Sequence, residues 1–428
     1  MKAAFYTLGC KVNQYETQEM ISLLKNEGYS VVSHKEKADI YVINSCTVTA
    51  ESSRKTRQAV RRFRNDNSDA IIILTGCFPQ AFPEEAKELS EADIILGNNA
   101  NYNIIEAINE FRNSRKQTVK AIAHKRDDKY KGIEINTFDG HTRAFIKIQD
   151  GCNRYCSYCI IPKARGFSRS RPLEAIRKEI ERLAKAGYKE IVFVGINLSA
   201  YGLDTDGNIC NALQIAEDTE GIERFRLGSL EPDHITDDII RRLSDMKKFC
   251  PQFHLSLQSG SNTVLKRMNR HYTAEEYLTL CKKLKATFSD ISLTTDIIVG
   301  FPGETEEYFN ETLEFAKECG FMKVHVFPFS PREGTVAYKF TDKIPNAVKA
   351  ERCSLLQKEC DKIRDVFLKE NIGKTVNVLF ETPKGNVQQG YTENYTPITV
   401  TSKENLCGQI RKVKILSCEN DTCNGILA

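Results

Sequence analysis

Short apolar runs alternate with amphipathic stretches along the N-terminal part of the chain. The apolar runs are rich in β-branched residues and read AAFYTLG, SVVSH, DIYVINS, AIIILTG and DIILG. Between the first two, Met20, Ile21, Leu23 and Leu24 follow the helical period of about 3.6 residues. Strands that alternate with helices predict a parallel sheet covered on both faces. We therefore expect a Rossmann-like α/β domain over residues 1–118.

A second alternating series follows a polar, charged linker, KRDDKYKGIEINTFDGHTR. Its predicted strands are AFIKIQDG, EIVFVGIN, RFRLGSLE, FHLSLQSG, LTTDIIVG and KVHVFPFS, with helical segments between them. Because a complete α/β barrel needs eight strands, this series predicts a partial (β/α)6 barrel over residues 138–370. From Gly373 the pattern changes to KTVNVLFE, the polar stretch TPKGNVQQG, TPITVTS and GQIRKVKILS, which predicts a small β-barrel over residues 371–428.

Composition narrows the possible classes of protein. The 428 residues include 61 Lys+Arg and 57 Asp+Glu, so the net charge is only +4 and any nucleic-acid contact requires local patches. No apolar run approaches the ~20 residues that a bilayer requires, and the N-terminus turns polar before a signal-peptide core forms. We expect a cytoplasmic protein with no membrane partner. In that reducing compartment, fifteen cysteines point to metal binding or to chemistry rather than to disulfides.

Three of the cysteines lie within GCNRYCSYC, just after the first predicted barrel strand. Cys152, Cys156 and Cys159 have CxxxCxxC spacing. Three thiolates on one loop can hold three irons of a 4Fe–4S cube, and the missing fourth ligand leaves one iron open to a small molecule. Structural zinc is the alternative, since a fourth ligand could come from elsewhere in the fold. The surrounding positions favour the iron–sulfur interpretation.

A second group of three cysteines follows three predicted strands of the N-terminal domain. Cys10 follows AAFYTLG, Cys46 follows DIYVINS and Cys77 follows AIIILTG. Ligands bind at the carboxyl edge of an open parallel sheet, and neighbouring strands are only ~4.8 Å apart. The three thiols are therefore expected to converge on a second cluster. The alternative is three independent buried thiols.

The CxxxCxxC loop, with the aromatic Tyr158 before its last cysteine, resembles that of the radical S-adenosylmethionine (SAM) superfamily. This resemblance implies that the open iron binds SAM and that the reduced cluster cleaves it to a 5′-deoxyadenosyl radical. It also suggests a SAM pocket at the strand ends, although each of these residues could instead simply cap a strand. The pocket candidates are Gly195, Asn197, Ser229, Glu231, Gln258 and Asp296.

Across essentially the whole chain, the combination resembles the methylthiotransferase family. The segments that carry the resemblance are TLGCKVNQYET, INSCTVT, TGCFPQ, GCNRYCSYCIIPKARG, SLQSGSNTVLKRMNR and TDIIVGFPGET. It implies two 4Fe–4S clusters, SAM as cofactor, and a C-terminal TRAM-like module that contacts RNA. It also implies an electron donor such as a flavodoxin or ferredoxin, and it leaves the sulfur donor undefined.

The same segments suggest a substrate. TLGCKVNQYET and CSYCIIPKARG resemble the branch that adds a methylthio group to C2 of N6-threonylcarbamoyladenosine in the tRNA anticodon loop. The alternatives are isopentenyladenosine in tRNA, an aspartate of a ribosomal protein, or a non-catalytic, metal-stabilised RNA-binding protein.

Local basic segments are candidates for phosphate contacts, although such a run can equally be a solvated helix face. One segment contains Arg54, Lys55, Arg57, Arg61, Arg62 and Arg64; the other contains Lys163, Arg165, Arg169 and Arg171. In the C-terminal module, RNA contact would rely on Tyr391, Tyr395 and the cations of RKVK. The remaining nine cysteines are interpreted as packing or exposed thiols; they are Cys210, Cys250, Cys281, Cys319, Cys353, Cys360, Cys407, Cys418 and Cys423.

Overall fold

The computed structural model describes residues 1–133, 135, 138, 140–205, 207–381 and 383–428. Parts of the predicted linker and of the polar segment TPKGNVQQG lie outside the described residues. The fold class expected from the sequence is confirmed: a Rossmann-like sheet, a partial α/β barrel and a closed C-terminal β-barrel follow one another along the chain. Among the described residues, no helix is long and apolar enough to cross a membrane.

The N-terminal region is a six-stranded sheet in the order β2-β1-β3-β4-β5-β6, and every pair is parallel. Its strands are β1 (Lys2–Thr7), β2 (Ser30–Val32), β3 (Ile40–Ser45), β4 (Ile71–Gly76), β5 (Ile94–Leu96) and β6 (Thr118–Lys120). Its helices are α1 (Lys11–Asn26), α2 (Ala50–Asp66), α3 (Cys77–Ala81), α4 (Pro83–Lys87) and α5 (Ile104–Ser114). The sequence did not predict β6, because this three-residue edge strand has no apolar run.

The central region has six main parallel strands that form an open barrel. Its strands are β7 (Ala144–Asp150), β8 (Arg169–Ser170), β9 (Glu190–Gly195), β10 (Arg224–Leu227), β11 (Ser229–Leu230), β12 (Gln252–Leu255), β13 (Ser292–Val299) and β14 (Lys323–Pro328). Its helices are α6 (Ile161–Arg165), α7 (Leu173–Lys185), α8 (Ile209–Asp218), α9 (Asp237–Ser244), α10 (Asn262–Arg267), α11 (Ala274–Thr287), α12 (Glu306–Cys319) and α13 (Asn346–Lys369). The short β8 is antiparallel to β7.

The predicted strand RFRLGSLE is interrupted at Gly228. β10 pairs with β9 in one four-stranded sheet, whereas β11 pairs with β12 in another. The Gly228 amide donates to the Phe193 carbonyl at 2.8 Å. The barrel wall therefore bends between its two halves instead of running as one continuous sheet.

The C-terminal region is a closed barrel in the order β15-β16-β17-β19-β18. Its strands are β15 (Thr375–Phe380), β16 (Val387–Tyr391), β17 (Pro397–Thr401), β18 (Ile410–Glu419) and β19 (Thr422–Leu427). β16 forms within the polar stretch TPKGNVQQG and extends to Tyr391, and Gln388 and Gly390 are buried there. A Cβ on Gly390 would lie 2.4 Å from the Leu379 carbonyl oxygen, so this strand position needs glycine.

Helix α1 packs against both the N-terminal sheet and the central barrel. Met20 and Leu24 belong to the core beneath the sheet, whereas Val12 and Tyr15 belong to the core of the barrel. Tyr15 also donates to Glu179 of α7 at 3.0 and 3.1 Å. The helix that begins after Cys10 is therefore fixed between the two regions.

Candidate functional site

The N-terminal cysteines lie where the sequence predicts, at the carboxyl ends of the neighbouring strands β1, β3 and β4. Cys10 is the N-cap of α1, Cys77 is the first residue of α3, and Cys46 directly follows β3. Gly9 has a φ of 111°, and a Cβ there would lie 2.9 Å from Cys46 Cβ and 3.3 Å from Cys46 Sγ. The turn before Cys10 thus lies against Cys46, which only a glycine permits.

A buried arginine from the central region lies beside this triad. Arg165 donates to Asn13 Oδ1 at 3.2 Å, to Glu16 at 2.7 and 2.9 Å, and to Asp150 Oδ1 at 3.1 Å. The Cys10 thiol donates to the same Asn13 oxygen at 3.3 Å. One network therefore joins the first triad to Asp150, two residues before Cys152.

Burial shifts two thiols of the first triad, those of Cys10 and Cys77, toward their neutral form. It raises the pKa of Cys77 to about 12 and also raises the pKa of Cys10, while the positive charge of Arg165 opposes both shifts. A coordinating metal deprotonates such thiols outright. The Asn98 amide donates to Cys77 Sγ at 3.9 Å and to the Ala164 carbonyl at 2.7 Å, which adds a second link to the segment after Cys159.

The expectation that the KARG segment and the arginines after it contact phosphate is wrong for three of its four cations. Arg165, Arg169 and Arg171 are buried. Arg165 and Arg169 pair with Asp150, and Arg171 pairs with Glu179 at 2.5 Å. Packing against the N-terminal region turns this apparent surface patch into an internal network, and Lys163 alone of the four is exposed.

The second triad lies on a tightly held loop. Gly151 has a φ of 71°, and a Cβ there would lie 1.9 Å from the Phe167 carbonyl oxygen. Ser157 donates through its amide to the Met268 carbonyl at 2.9 Å and through its hydroxyl to the Arg267 carbonyl at 2.8 Å. The end of α10 and the residue that follows it therefore fix the position of the cysteine loop.

Arg270 connects this loop to a carboxylate. Its Nη1 donates to Cys156 Sγ at 3.2 Å and to Glu231 Oε1 at 3.3 Å, and its Nη2 pairs with Glu231 Oε2. Arg154 adds a contact with Glu231 at 3.5 Å and hydrogen bonds to Asp233 at 2.5 and 2.7 Å. The sequence did not identify either arginine as part of the site, although Arg270 lies in the motif SLQSGSNTVLKRMNR. Their positions in the sequence do not predict a contact between distant parts of the fold.

Among the described residues, neither cysteine triad has the spacing of a site for a single metal ion. Three thiolates on one tetrahedral zinc have sulfurs about 3.8 Å apart, from Zn–S bonds of about 2.3 Å. Within the described part of the chain, His254, Asp296 and His325 have ligand atoms that all lie within 4.8 Å of one another. The sulfurs of neither cysteine triad meet this spacing. Burial raises the pKa of Cys152 to about 11 and also raises that of Cys159.

Two predicted SAM-pocket residues lie beside the second triad. The Asn197 amide donates to Cys152 Sγ at 3.8 Å, and Glu231 reaches Cys156 through Arg270. Gly195 leaves room for a neighbouring side chain, because a Cβ at this position would lie 3.0 Å from the side chain of Gln149.

The other candidates lie in the second half of the barrel. Ser229 is exposed at the start of β11. The Gln258 amide donates to the Asp296 carbonyl at 2.9 Å, and Gln258 has a φ of 69°. The Asp296 side chain lies 3.2 Å from His254 Nε2, and His254 Nδ1 is 3.0 Å from Thr294 Oγ1. Asp296 is therefore already paired with a histidine.

Tyr391 and Tyr395 do not form a free stacking platform for RNA. The two rings stack on each other at 4.7 Å. Arg143 lies 5.2 and 5.0 Å from their centres, and Arg226 lies 4.7 Å from that of Tyr395. The aromatics instead join the C-terminal barrel to the central region, whereas Lys412 and Lys414 of RKVK remain exposed.

Lys11 lies close to this junction. Its Nζ is 5.9 Å from the ring centre of Phe145, and its side chain is exposed. Surrounding protein and the charges of Arg143 and Arg226 nevertheless lower its pKa to about 8, with Glu190 opposing the shift.

The basic run on α2 is a paired helix face. Arg54, Arg57, Arg61 and Arg64 contact Glu51, Glu85, Glu91 and Asp93, respectively, at 2.5–3.4 Å. Arg62 lies 4.4 Å from the centre of the Phe63 ring.

The interpretation of the last two cysteines as separate thiols is wrong. Cys418 and Cys423 are opposite each other on β18 and β19 and form a disulfide. The turn between the strands places Asn420 and Asp421 at positive φ, which closes a tight hairpin. The other seven of the nine are free, and most of them are buried.

Comparisons with known proteins agree with this architecture. Residues 2–97 match "Uncharacterized protein family UPF0004", and residues 146–316 match the "Radical SAM superfamily". Threonylcarbamoyladenosine tRNA methylthiotransferase MtaB of Bacillus subtilis is 40% identical over 96% of this chain and 93% of its own length. The tRNA-2-methylthio-N(6)-dimethylallyladenosine synthase of Clostridium perfringens is 36% identical over 96% and 94%.

Solved structures support the fold. The radical SAM methyltransferase TsrM of Kitasatospora setae superposes with a TM-score of 0.56 at 14% identity, and it covers 76% of this chain and 72% of its own. The cobalamin-dependent radical SAM enzyme OxsB gives 0.52 at 15% identity, with coverage of 84% and 56%.

The resemblance expected from the cysteine motifs is thus confirmed, and the interpretation as a non-catalytic RNA-binding protein is set aside. Membership of the Radical SAM superfamily implies SAM and a 4Fe–4S cluster as cofactors. The chain belongs to the methylthiotransferase family of radical SAM enzymes.

Proposed function

We propose that this enzyme adds a methylthio group to C2 of N6-threonylcarbamoyladenosine next to the anticodon of tRNA. The observation that carries the reaction type is the pair of three-cysteine sites linked by the buried Arg165 network. Four relatives with the threonylcarbamoyladenosine name, at 38–40% identity, support the choice of nucleoside.

The proposal assigns one 4Fe–4S cluster to Cys152, Cys156 and Cys159 and a second to Cys10, Cys46 and Cys77. When bound, the cluster on the CxxxCxxC loop supplies the electron that splits SAM, and the cluster on the N-terminal triad holds the sulfur to be transferred. An electron donor such as a flavodoxin or ferredoxin belongs to the same proposal.

The residues around the cysteine loop hold their partners in place. The fork-shaped guanidinium of Arg270 orients Cys156 and Glu231 together, and the Asn197 amide donates to Cys152 Sγ. Tyr158 packs in a small apolar cluster against Phe301, with the ring centres 6.4 Å apart, and so helps to exclude water from beneath the loop.

The SAM pocket is proposed to lie over this loop. Asn197 and Glu231 are the candidates nearest to the cysteines, while Gly195, Ser229, Gln258 and Asp296 complete the rim of strand ends. Because Glu231 is engaged by Arg270 and Arg154, it acts best by holding these arginines rather than as a free carboxylate.

The test is mass spectrometry of tRNA nucleosides from cells with and without the gene. We expect the 2-methylthio derivative of threonylcarbamoyladenosine to disappear when the gene is absent. Loss of the methylthio derivative of dimethylallyladenosine instead would move the assignment to the activity named for the 36% identical Clostridium relative. Unchanged tRNA would favour an aspartate of a ribosomal protein.

A further inference from the structure

Lys11 follows the first cysteine of the N-terminal triad, and its ammonium group has no anionic partner within the part of the chain that the structure describes. Among the described residues it forms no hydrogen bond or ion pair, and its contact is with the face of Phe145 at 5.9 Å. The side chain keeps access to solvent although α1 is packed against the barrel strands β7 and β9. An exposed cation without a counter-ion is available for a charge-assisted hydrogen bond to an anionic ligand.

The charged side chains near Lys11 are already paired with one another. Glu190 receives Arg224 Nε at 2.5 Å and Arg226 Nε at 2.7 Å, and Arg143 lies 3.7 Å from the same carboxylate. These three arginines therefore saturate the one carboxylate that raises the pKa of Lys11.

A second carboxylate does not offset the excess of positive charge near Lys11. Glu381 of the C-terminal barrel accepts from Arg143 Nη2 at 2.5 Å, so this carboxylate is also engaged by one of the same arginines. Arg226 further donates to the backbone carbonyls of Thr392 and Glu393 at 3.2 and 3.1 Å. The arginines hold the C-terminal barrel in place, and Lys11 is the cation left over.

We infer that Lys11 binds the carboxylate of the threonylcarbamoyl group and thereby selects this nucleoside over one whose N6 substituent is a hydrocarbon. The inference rests on the proposed function, because it assumes a threonylcarbamoyl substrate. Threonine joined through a carbamoyl group keeps its free carboxylate, whereas a dimethylallyl group has no charge and would leave the ammonium unpaired. Lys11 is also next to Cys10, where the sulfur to be transferred is proposed to lie.

The test compares binding of two anticodon stem-loop RNAs to the reconstituted enzyme under anaerobic conditions. One RNA carries threonylcarbamoyladenosine and the other carries plain adenosine at the same position. We expect the wild type to prefer the modified RNA by about 10- to 100-fold, as for a charged hydrogen bond. Lys11→Gln should lose most of this preference while its affinity for the plain RNA stays within about threefold, and Lys11→Arg should keep much of it.

Lys37→Gln is the matched control, since it removes an exposed lysine at the opposite, amino end of β3 and should leave the preference intact. If Lys11 only balances the charge at Cys10, Lys11→Gln will lower iron content and weaken both RNAs equally, which overturns the inference. An unchanged preference in Lys11→Gln overturns it as well.

A second measurement needs no variant. The wild type should bind the modified RNA at least about tenfold more tightly than the same RNA with its carboxylate methyl-esterified. Equal binding of acid and ester contradicts the role of Lys11 while leaving the proposed function in place, provided that the wild type still methylthiolates the acid form. Failure to methylthiolate that RNA, with activity on a dimethylallyl RNA, rejects both.

Discussion

The two cysteine triads reach similar ends by different construction. Cys152, Cys156 and Cys159 lie on one loop, whose shape depends on local turns and on contacts with residues 267–270. Cys10, Cys46 and Cys77 are far apart in sequence and meet because β1, β3 and β4 are neighbours in one parallel sheet. Each triad has a buried arginine from a distant segment, Arg270 in one case and Arg165 in the other.

The comparison suggests a division of tasks. A loop triad leaves space above it for a small cofactor at the strand ends. A sheet-edge triad is instead rigidly set against the neighbouring region through Arg165 and Asp150. The distance between the two triads is thus fixed by packing between the regions.

Removing the cysteines of each triad separates the two roles most sharply. Replacement of Cys152, Cys156 and Cys159 by alanine should halve the iron from about eight per chain and abolish SAM cleavage. Replacement of Cys10, Cys46 and Cys77 should also halve the iron but retain SAM cleavage, with no methylthio product. Iron assay and chromatography of 5′-deoxyadenosine measure both. Cys407→Ala, at an exposed free thiol, is the control, and loss of cleavage in both triad variants would contradict the assigned roles.

Arg165→Met tests the link between the triads. It leaves Glu16 with Lys147 at 2.9 Å, and Asp150 with Lys147 at 2.8 Å and Arg169 at 3.6 Å. Breaking a buried ion network by removing one partner costs about 3–5 kcal/mol, so the free energy of unfolding should fall by about 3 kcal/mol in urea denaturation. Arg61→Met, whose partner Glu91 lies 3.2 Å away on the surface, should cost less than ~1 kcal/mol. Equal losses would show that the network is not important for stability.

Arg270→Lys tests the matching arginine of the loop triad. Lysine keeps the charge but cannot contact Cys156 and Glu231 in the same fixed geometry. We expect SAM cleavage to slow by about 10- to 100-fold, since charge-assisted hydrogen bonds are worth about 1.5–3 kcal/mol, and the electron paramagnetic resonance signal of the reduced cluster to change. Arg267→Lys, whose exposed pair with Asp342 spans 2.6 Å, should change neither. An unaltered spectrum with normal cleavage would remove Arg270 from a positioning role.

The smallest effect is expected at the disulfide between Cys418 and Cys423. Cys418→Ser should lower the stability of the C-terminal barrel by about 2 kcal/mol, because the disulfide closes only a short loop. Iron content should not change, and dithiothreitol should reproduce the loss in the wild type. Cys407→Ser is the control. A drop in iron would mean that this pair belongs with the metal-binding cysteines.

The sequence predicted the positions of the two cysteine triads better than it predicted the side chains that contact them. Period-2 and period-3.6 patterns are local, so the barrel strands and the places of all six cysteines after them could be predicted. The patterns could not show that Arg165 and Arg171 turn inward, since their burial depends on carboxylates of α1 and α7. They also missed β16, whose buried positions are Gln388 and Gly390 rather than apolar residues.

By itself the sequence determined the order of the elements, the three-thiol loop and the likeness to a methylthiotransferase, because each is written within short stretches of chain. The tertiary structure decided what those stretches face. It placed Arg165 against Glu16, which is 149 positions away in the sequence, and it stacked Tyr391 and Tyr395 beneath Arg143. It also left Lys11, beside Cys10, without an ion-pair partner among the described residues. Such contacts depend on how regions pack and on which charges are already neutralised, and neither is encoded in a local period.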